Sequence, residues 1–364
     1  MNILAVCKDP GGTNGILPVV AELRRRGHHV RIVANGWASH PDRVTFDFAV
    51  EAYAVDALFQ VLGHEPIHAV LTSTCTKGGV GMILMDRMRD RRKKRARIAL
   101  QDIWGGALCA DYWSDRRFRP SHILTNDVVG TEIMQREWQD FPRESIYEVG
   151  FPAMDCYATF DVASTRLRVR EEREWSDDKP VVLFAGGGPS TGATLAAVVR
   201  CLNAVGTPVT LVVRPHPRMR TDYADEVAAW DEALAAFRTG TLITDGPRDV
   251  DDAVAASDLV IADASTVQIT ASVMLVPSIS VLYEDLGMRA YRQGQSRAVT
   301  EFPLVELGCA AKATNDERLQ TLLTICFENG CDLGLHENQV RAFGNVGRAS
   351  DRAADVVERI VQSS

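Results

Sequence analysis

The chain has 364 residues, of which 46% are hydrophobic and 24% charged, and a formal net charge of −8. The length exceeds one ordinary core and suits two domains of about 150 to 200 residues. The composition excludes a disordered chain, and the acidic balance excludes a protein that coats nucleic acid.

Taken in order, Ile3 to Cys7 reads as a short apolar strand, followed by the glycine-rich turn Lys8-Asp-Pro-Gly-Gly-Thr-Asn14 and a helix from Gly15 to Arg26 that Gly27 caps. Strand Val30 to Ala34 completes a βαβ unit. Helix Val55 to Leu62, strand Ala69 to Leu71, helix Gly81 to Lys94, strand Arg97 to Leu100, strand His122 to Thr125, helix Val128 to Trp138 and strand Ile146 to Val149 follow. This alternation predicts an N-terminal, doubly wound domain over residues 1–150. After Gly150-Phe-Pro152 the pattern relaxes into a charged stretch, which reads as a linker over 151–179. A second alternation predicts a domain over 180–345: strand Val181 to Phe184, helix Gly192 to Val205, strand Val209 to Val213 and helix Asp222 to Phe237. It continues through strand Thr241 to Ile243, helix Val250 to Ala256, strand Leu259 to Ala262, helix Val267 to Met274 and strand Ser278 to Val281. Residues 284–313 carry no assigned element. An amphipathic helix in 346–364 is expected to pack back on the N-terminal domain. The expected fold class is α/β, with two Rossmann-like parallel-sheet domains facing a cleft that holds the ligand.

The run Leu211-Val-Val-Arg-Pro-His-Pro217 is a buried strand that must leave its sheet at Arg214, because neither proline can donate to a ladder. Ligands of open α/β sheets bind at the carboxyl ends of strands, so Arg214 and His216 are candidate phosphate-binding residues. Leu259 to Ala262 repeats the pattern and ends in Asp263-Ala-Ser-Thr266. Ser265 and Thr266, at a helix start, are candidate donors to an anion. Asp263 is a candidate ribose ligand or the closing residue of an Asx turn. Gly187, Gly188 and Ser190 form another strand-to-helix loop suited to close ligand approach, but without the Gly-Lys-Ser/Thr ending of an ATP-hydrolysing loop. Gly11, Gly12, Thr13 and Asn14 on the first loop are the candidate acceptor site, and their spacing is not that of a dinucleotide fingerprint.

Transfer onto a hydroxyl needs a base, for which Asp9 and Asp102 are the candidates; each could equally be a turn or cap residue. Eight of the eleven residues from Arg87 to Arg97 are basic. They read as a solvated helix face, or as a surface for anionic lipid or an anionic polymer. The eight cysteines (7, 75, 109, 156, 201, 309, 326 and 331) are scattered without a Cys-x-x-Cys pair and read as reduced thiols in a cytoplasmic protein. No spacing resembles a metal site, and neither a leader nor a spanning helix is expected.

With these residues in place the chain resembles the GT-B glycosyltransferase superfamily, including the related UDP-N-acetylglucosamine 2-epimerase fold. The matching pieces are the first glycine-rich loop, Glu148-Val-Gly-Phe-Pro-Ala-Met-Asp155, Arg214-Pro-His-Pro217, Asp263-Ala-Ser-Thr266 and the Gly-Arg-Ala-Ser-Asp-Arg start of the last helix. The resemblance implies a nucleotide donor on the C-terminal domain and an acceptor on the N-terminal one. The Arg-Pro-His-Pro stretch with a Ser/Thr loop resembles CDP-glycerol glycerophosphotransferases and the sialyl- and Kdo-transferases that use CMP-sugars. Carried over, Arg214 and His216 contact the cytidine phosphate or ribose, and Ser265 and Thr266 the phosphate. The epimerases carry Asp-Ser-Gly-Gly-x-Gln-Glu-Glu where this chain has Asp263-Ala-Ser-Thr-Val-Gln-Ile-Thr270, lacking both glycines and both glutamates. The histidine that many relatives place in the first loop is also missing. The implied activity is metal-independent transfer of a sugar, or an alditol phosphate, from a CMP-, CDP- or UDP-linked donor to a sugar, lipid-linked or small-molecule hydroxyl acceptor. No cofactor is expected beyond that co-substrate. The protein would be cytoplasmic, with a surface for the inner face of the membrane, and the oligomeric state is open. A UDP-sugar epimerase or hydrolase, and a non-catalytic nucleotide-binding protein, are the alternatives.

Overall fold

The computed structural model describes residues 1–40, 42–74, 79–89, 95–102, 104, 115–186, 190–216, 219, 224–286 and 299–363. They form two compact units. The first holds the chain up to Ala158, together with Val299 and 345–363; the second holds 159–286 and Thr300–Gly344.

In the first unit β1 (Asn2–Cys7) is buried on both faces, with Ile3 through Cys7 each at most 2% exposed, which explains its unbroken apolar sequence. It pairs in parallel with β2 (His29–Ala34) on one side and β4 (Ala69–Ser73) on the other. β3 (Phe48–Ala49), β5 (Ala96–Leu100), β6 (His122–Thr125) and β7 (Ile146–Glu148) complete a parallel sheet in the order β3-β2-β1-β4-β5-β6-β7. The order reverses between β1 and β4, the position at which open sheets present a site. Helices α1 (Pro10–Arg25), α2 (Val55–Leu62), α3 (Val80–Arg87) and α4 (Val128–Glu137) link the strands. Helix α1 starts five residues before the position expected from sequence. Pro10 takes the first helical position, where its missing N–H is no loss, so the glycine-rich segment is the first helical turn rather than a loop.

The C-terminal helix (Ala349–Gln362) lies against α1, burying Ala353, Ala354, Val357 and Ile360 with Ile16, Val19 and Leu23. Arg26 at the end of α1 bonds Glu22 and reaches Asp351, Asp355 and Glu358. Asp155 caps this helix, accepting from the N–H groups of Gly347, Ala349 and Ser350 at 2.7–3.0 Å and from the Ser350 hydroxyl.

In the second unit, helix α5 (Val162–Glu172) precedes β8 (Val181–Ala185), α6 (Thr191–Val205), β9 (Val209–Arg214), α7 (Glu226–Ala235) and β10 (Gly240–Ile243). Next come α8 (Val250–Ala255), β11 (Leu259–Ala262), α9 (Val267–Val273), β12 (Ser278–Val281), α10 (Pro303–Glu306), β13 (Ala311–Ala313), α11 (Asp316–Glu328) and α12 (His336–Phe343). The strands form a parallel sheet ordered β10-β9-β8-β11-β12-β13, reversing between β8 and β11. The charged stretch read as a linker forms α5, part of this unit. Arg170 is 7% exposed and, with Arg166, binds the Asp258 carboxylate, which also accepts from the Val181 N–H. Arg166 and Arg170 thus anchor the helix, while Glu171, Glu172, Arg173 and Glu174 are exposed. Among the described residues no helix is long and apolar enough to cross a membrane.

Candidate functional site

In the first unit the carboxyl ends of β1, β4, β5 and β6 converge on a small pocket lined by Gly11, Gly12, Ser73, Gln101, Asp102, Asn126 and Phe151. Two glycines bring α1 against it. A Cβ on Gly12 would lie 2.0 Å from Ser73 Oγ, and one on Gly11 would lie 2.5 Å from Asp102 Oδ1. Absence of a side chain is a steric requirement at Gly12, where Ser73 Cβ would also lie within 2.7 Å, whereas at Gly11 the Asp102 carboxyl would have to shift. The Asp102 N–H donates to Thr74 Oγ1 at 2.9 Å, which fixes its backbone, and its carboxyl accepts from the Gly12 N–H. Burial pushes the Asp102 pKa up to about 6, and the neighbouring charge of Asp9 adds to the rise against the stabilising Gly12 contact. Ser73 Oγ and Asn126 Nδ2 are buried with no hydrogen-bond partner among the described residues. Buried polar atoms of this kind require a partner, and both stand at the pocket. Thr13 is buried and Asn14 exposed, on the faces of α1 that these positions dictate.

Behind Asp102, Trp104 donates from Nε1 to Asp127 Oδ2 at 2.7 Å and meets Phe151 edge-on at 5.2 Å. Asp127, raised to about 6 by burial, also caps α4 through Gly130 N–H at 2.7 Å.

In the second unit the reversal between β8 and β11 brings Ser190, Asp263, Ser265 and Thr266 to one edge. The N-terminus of α6 already holds an anion. The Glu226 carboxylate accepts from the N–H groups of Ser190 at 2.6 Å and Gly192 at 2.9 Å. Asp263 is 7% exposed, its Oδ1 has no partner among the described residues, and burial together with the charge of Glu226 pushes its pKa up to about 6. Ser265 Oγ accepts from the Val267 N–H at 3.3 Å just before α9, while Thr266, at the helix cap, is exposed. Arg214 and His216 diverge. The Arg214 guanidinium donates to the carbonyls of Pro247 and Arg248 at 2.9 and 2.8 Å and lines a cavity of about 250 Å³. His216 lines another of about 440 Å³ with Pro215, Met219, Trp230, Asp231 and Thr244.

Gly187, Gly188 and Pro217 lie outside the described residues, as do 90–94 of the basic run. The described ends of that run are engaged in structure: Arg87 pairs with Asp56 at 2.7 Å, and Arg97 donates to the Arg119 carbonyl at 2.8 Å. Among the described residues no three His, Cys, Asp or Glu side chains gather as a metal site. Sequence reading missed Ser73, Gln101 and Asn126, although each is a polar residue at or just after the end of an apolar strand, the position that singled out Asp102. For Glu226 there was no such signal, because it reaches its site from the neighbouring helix.

No protein-family model matches the chain, and neither does any curated protein sequence. Solved structures do match. The UDP-GlcNAc 2-epimerase from Neisseria meningitidis bound to UDP-GlcNAc aligns with a TM-score of 0.68 at 12% identity, covering 99% of this chain and 100% of that one. MurG from Acinetobacter baumannii aligns at 0.57 and 14%, covering 98% and 99%. The wall teichoic acid polymerase TagF aligns at 0.58 and 14%, covering 99% and 89%. At these identities the likeness is one of fold: the chain has the GT-B fold, with its two Rossmann-like parallel sheets.

Proposed function

We propose that the protein is a nucleotide-sugar-dependent transferase that moves a sugar, or an alditol phosphate, from a nucleotide donor to a hydroxyl acceptor. The observation that carries this reading is Asp102. A carboxyl with a pKa near 6, at a strand's carboxyl end beside two polar atoms that have no partner among the described residues, is matched to taking a proton from a hydroxyl near neutral pH. In this account Ser73 Oγ and Asn126 Nδ2 bind the acceptor and Asp102 accepts its proton. Asp9 raises the affinity of Asp102 for that proton.

The donor nucleotide belongs to the second unit. Its phosphate is placed at the β11–α9 loop, with Ser265 and Thr266, because Glu226 fills the corresponding position at α6. His216 meets the nucleotide from its own cavity. Arg214 then acts by holding the 247–248 loop in place. The missing glycines and glutamates of the epimerase pattern at 263–270 favour transfer over epimerisation.

Thermal stabilisation by UDP, CDP, CMP, GDP and TDP, on the wild type and on His216→Ala, tests the donor half. A ligand that binds only the folded state raises the melting temperature. A nucleotide that stabilises the wild type and loses its effect in the variant supports the reading and names the donor class. No shift with any of the five removes its basis.

A further inference from the structure

Helix α11 ends in a motif that places two cysteines side by side. The Cys331 N–H donates to the Cys326 carbonyl at 2.7 Å, Asn329 is the last half-helical residue, and Gly330 follows with a φ of 62°. This is the Schellman arrangement, whose 6→1 bond joins the two positions at which side chains normally make an apolar contact. Here both positions carry thiols, and both thiols are free. The main-chain bond keeps the two backbones close, as a disulfide requires. Cys326 is buried in the core of the second unit, whereas Cys331 is half-buried and reachable from solvent. The charges of Arg166 and Arg170 on α5 act on Cys331 and are opposed by that of Asp258, the carboxylate both arginines bind.

We propose that Cys331 and Cys326 form a thiol–disulfide exchange site that takes small-molecule disulfides. The Cys331 thiolate attacks one sulfur of the incoming disulfide, forming a mixed disulfide and expelling one thiolate. Cys326 then gives up its proton to solvent and attacks Cys331 Sγ, expelling the second thiolate and leaving a Cys326–Cys331 bridge. Two protein thiols are oxidised, and one external disulfide is reduced to two thiols. The order of events follows from the environment. Cys331 is the sulfur that an incoming disulfide can reach and is the nucleophile, whereas Cys326, buried in the core, is the resolving thiol.

The full-length protein is incubated with oxidised glutathione, its remaining thiols are blocked with iodoacetamide, and tryptic peptides are weighed; both cysteines fall in the peptide 319–341. The expected product is this peptide without either alkyl group and lighter by two hydrogens, restored by dithiothreitol. In Cys326→Ser a single glutathione adduct is expected to persist on Cys331. In Cys331→Ser, labelling of Cys326 should be slower by about tenfold or more. Recovery of the wild-type peptide with both cysteines alkylated, or with glutathione on both, overturns the proposal. The wild-type peptide decides the matter alone if either variant fails to fold.

Discussion

The Gly12 N–H donates to the Asp102 carboxyl, and the contact exists because position 12 has no side chain. The first turn of α1 and the exit of β5 are thereby one unit, with Ser73 packed against both. Gly12→Ala should destabilise the first unit by about 1–3 kcal/mol, since the new methyl would overlap Ser73 Oγ and Cβ. Adding Ser73→Gly should recover about 1 kcal/mol or more, a coupling that a double-mutant cycle in urea would read. Strictly additive effects of the two substitutions would contradict the packing described.

Asp102 sets an expected pH dependence. As a base it must be deprotonated, so kcat/KM should rise about tenfold per pH unit below about 6 and level off above it. Asp102→Asn should lower the plateau by at least about 100-fold and remove that limb. A profile in the variant with the same rise would assign the titration to another group.

Asp263 makes a separate prediction about stability. Its folded pKa, about 6, lies above the ordinary aspartate value, so the folded state holds the proton more tightly than the unfolded one. Stability from this group is therefore complete below about pH 4 and is lost as pH rises through about 6. Asp263→Asn should raise stability by roughly 1–3 kcal/mol at pH 8 and leave it nearly unchanged at pH 4. Equal effects at the two values, by denaturant titration, would sink this account.

Asp155 joins the Glu148 to Asp155 segment to the start of the C-terminal helix, two sequence motifs that are distant along the chain. Removing a capping side chain destabilises by about 0.5–2 kcal/mol. Asp155→Ala should fall at the upper end of that range, because the carboxylate satisfies three N–H groups and a hydroxyl. Asp155→Asn should retain part of the effect. An unchanged midpoint in Asp155→Ala would show that the cap adds nothing to the helix.

The alternation of apolar runs with helical stretches made both sheets legible, and strands such as Leu259–Ala262 and Ser278–Val281 fall where the sequence puts them. Starts and ends of helices were less legible. Pro10 opens α1 although proline and glycine together read as a turn; β13 is only three residues long, and α11 went unassigned although Leu319, Leu322, Leu323 and Cys326 carry a helical apolar spacing. Asp102 was visible as the first acidic residue after a strand. Its neighbours at the carboxyl ends of other strands share a site only through parallel register, which no local pattern records. The same limit hid the Cys326–Cys331 pair, whose spacing of five acquires meaning only once Gly330 turns the chain back.

The measurement closest to the central claim is nucleotide release from the donor class found by thermal shift, followed with and without a panel of hydroxyl acceptors, in the wild type and in Asp102→Asn. The account predicts release that depends on an acceptor and falls at least about 100-fold in a variant that still binds the nucleotide. Release of free sugar or an epimer without any acceptor, or undiminished turnover in Asp102→Asn, would contradict it.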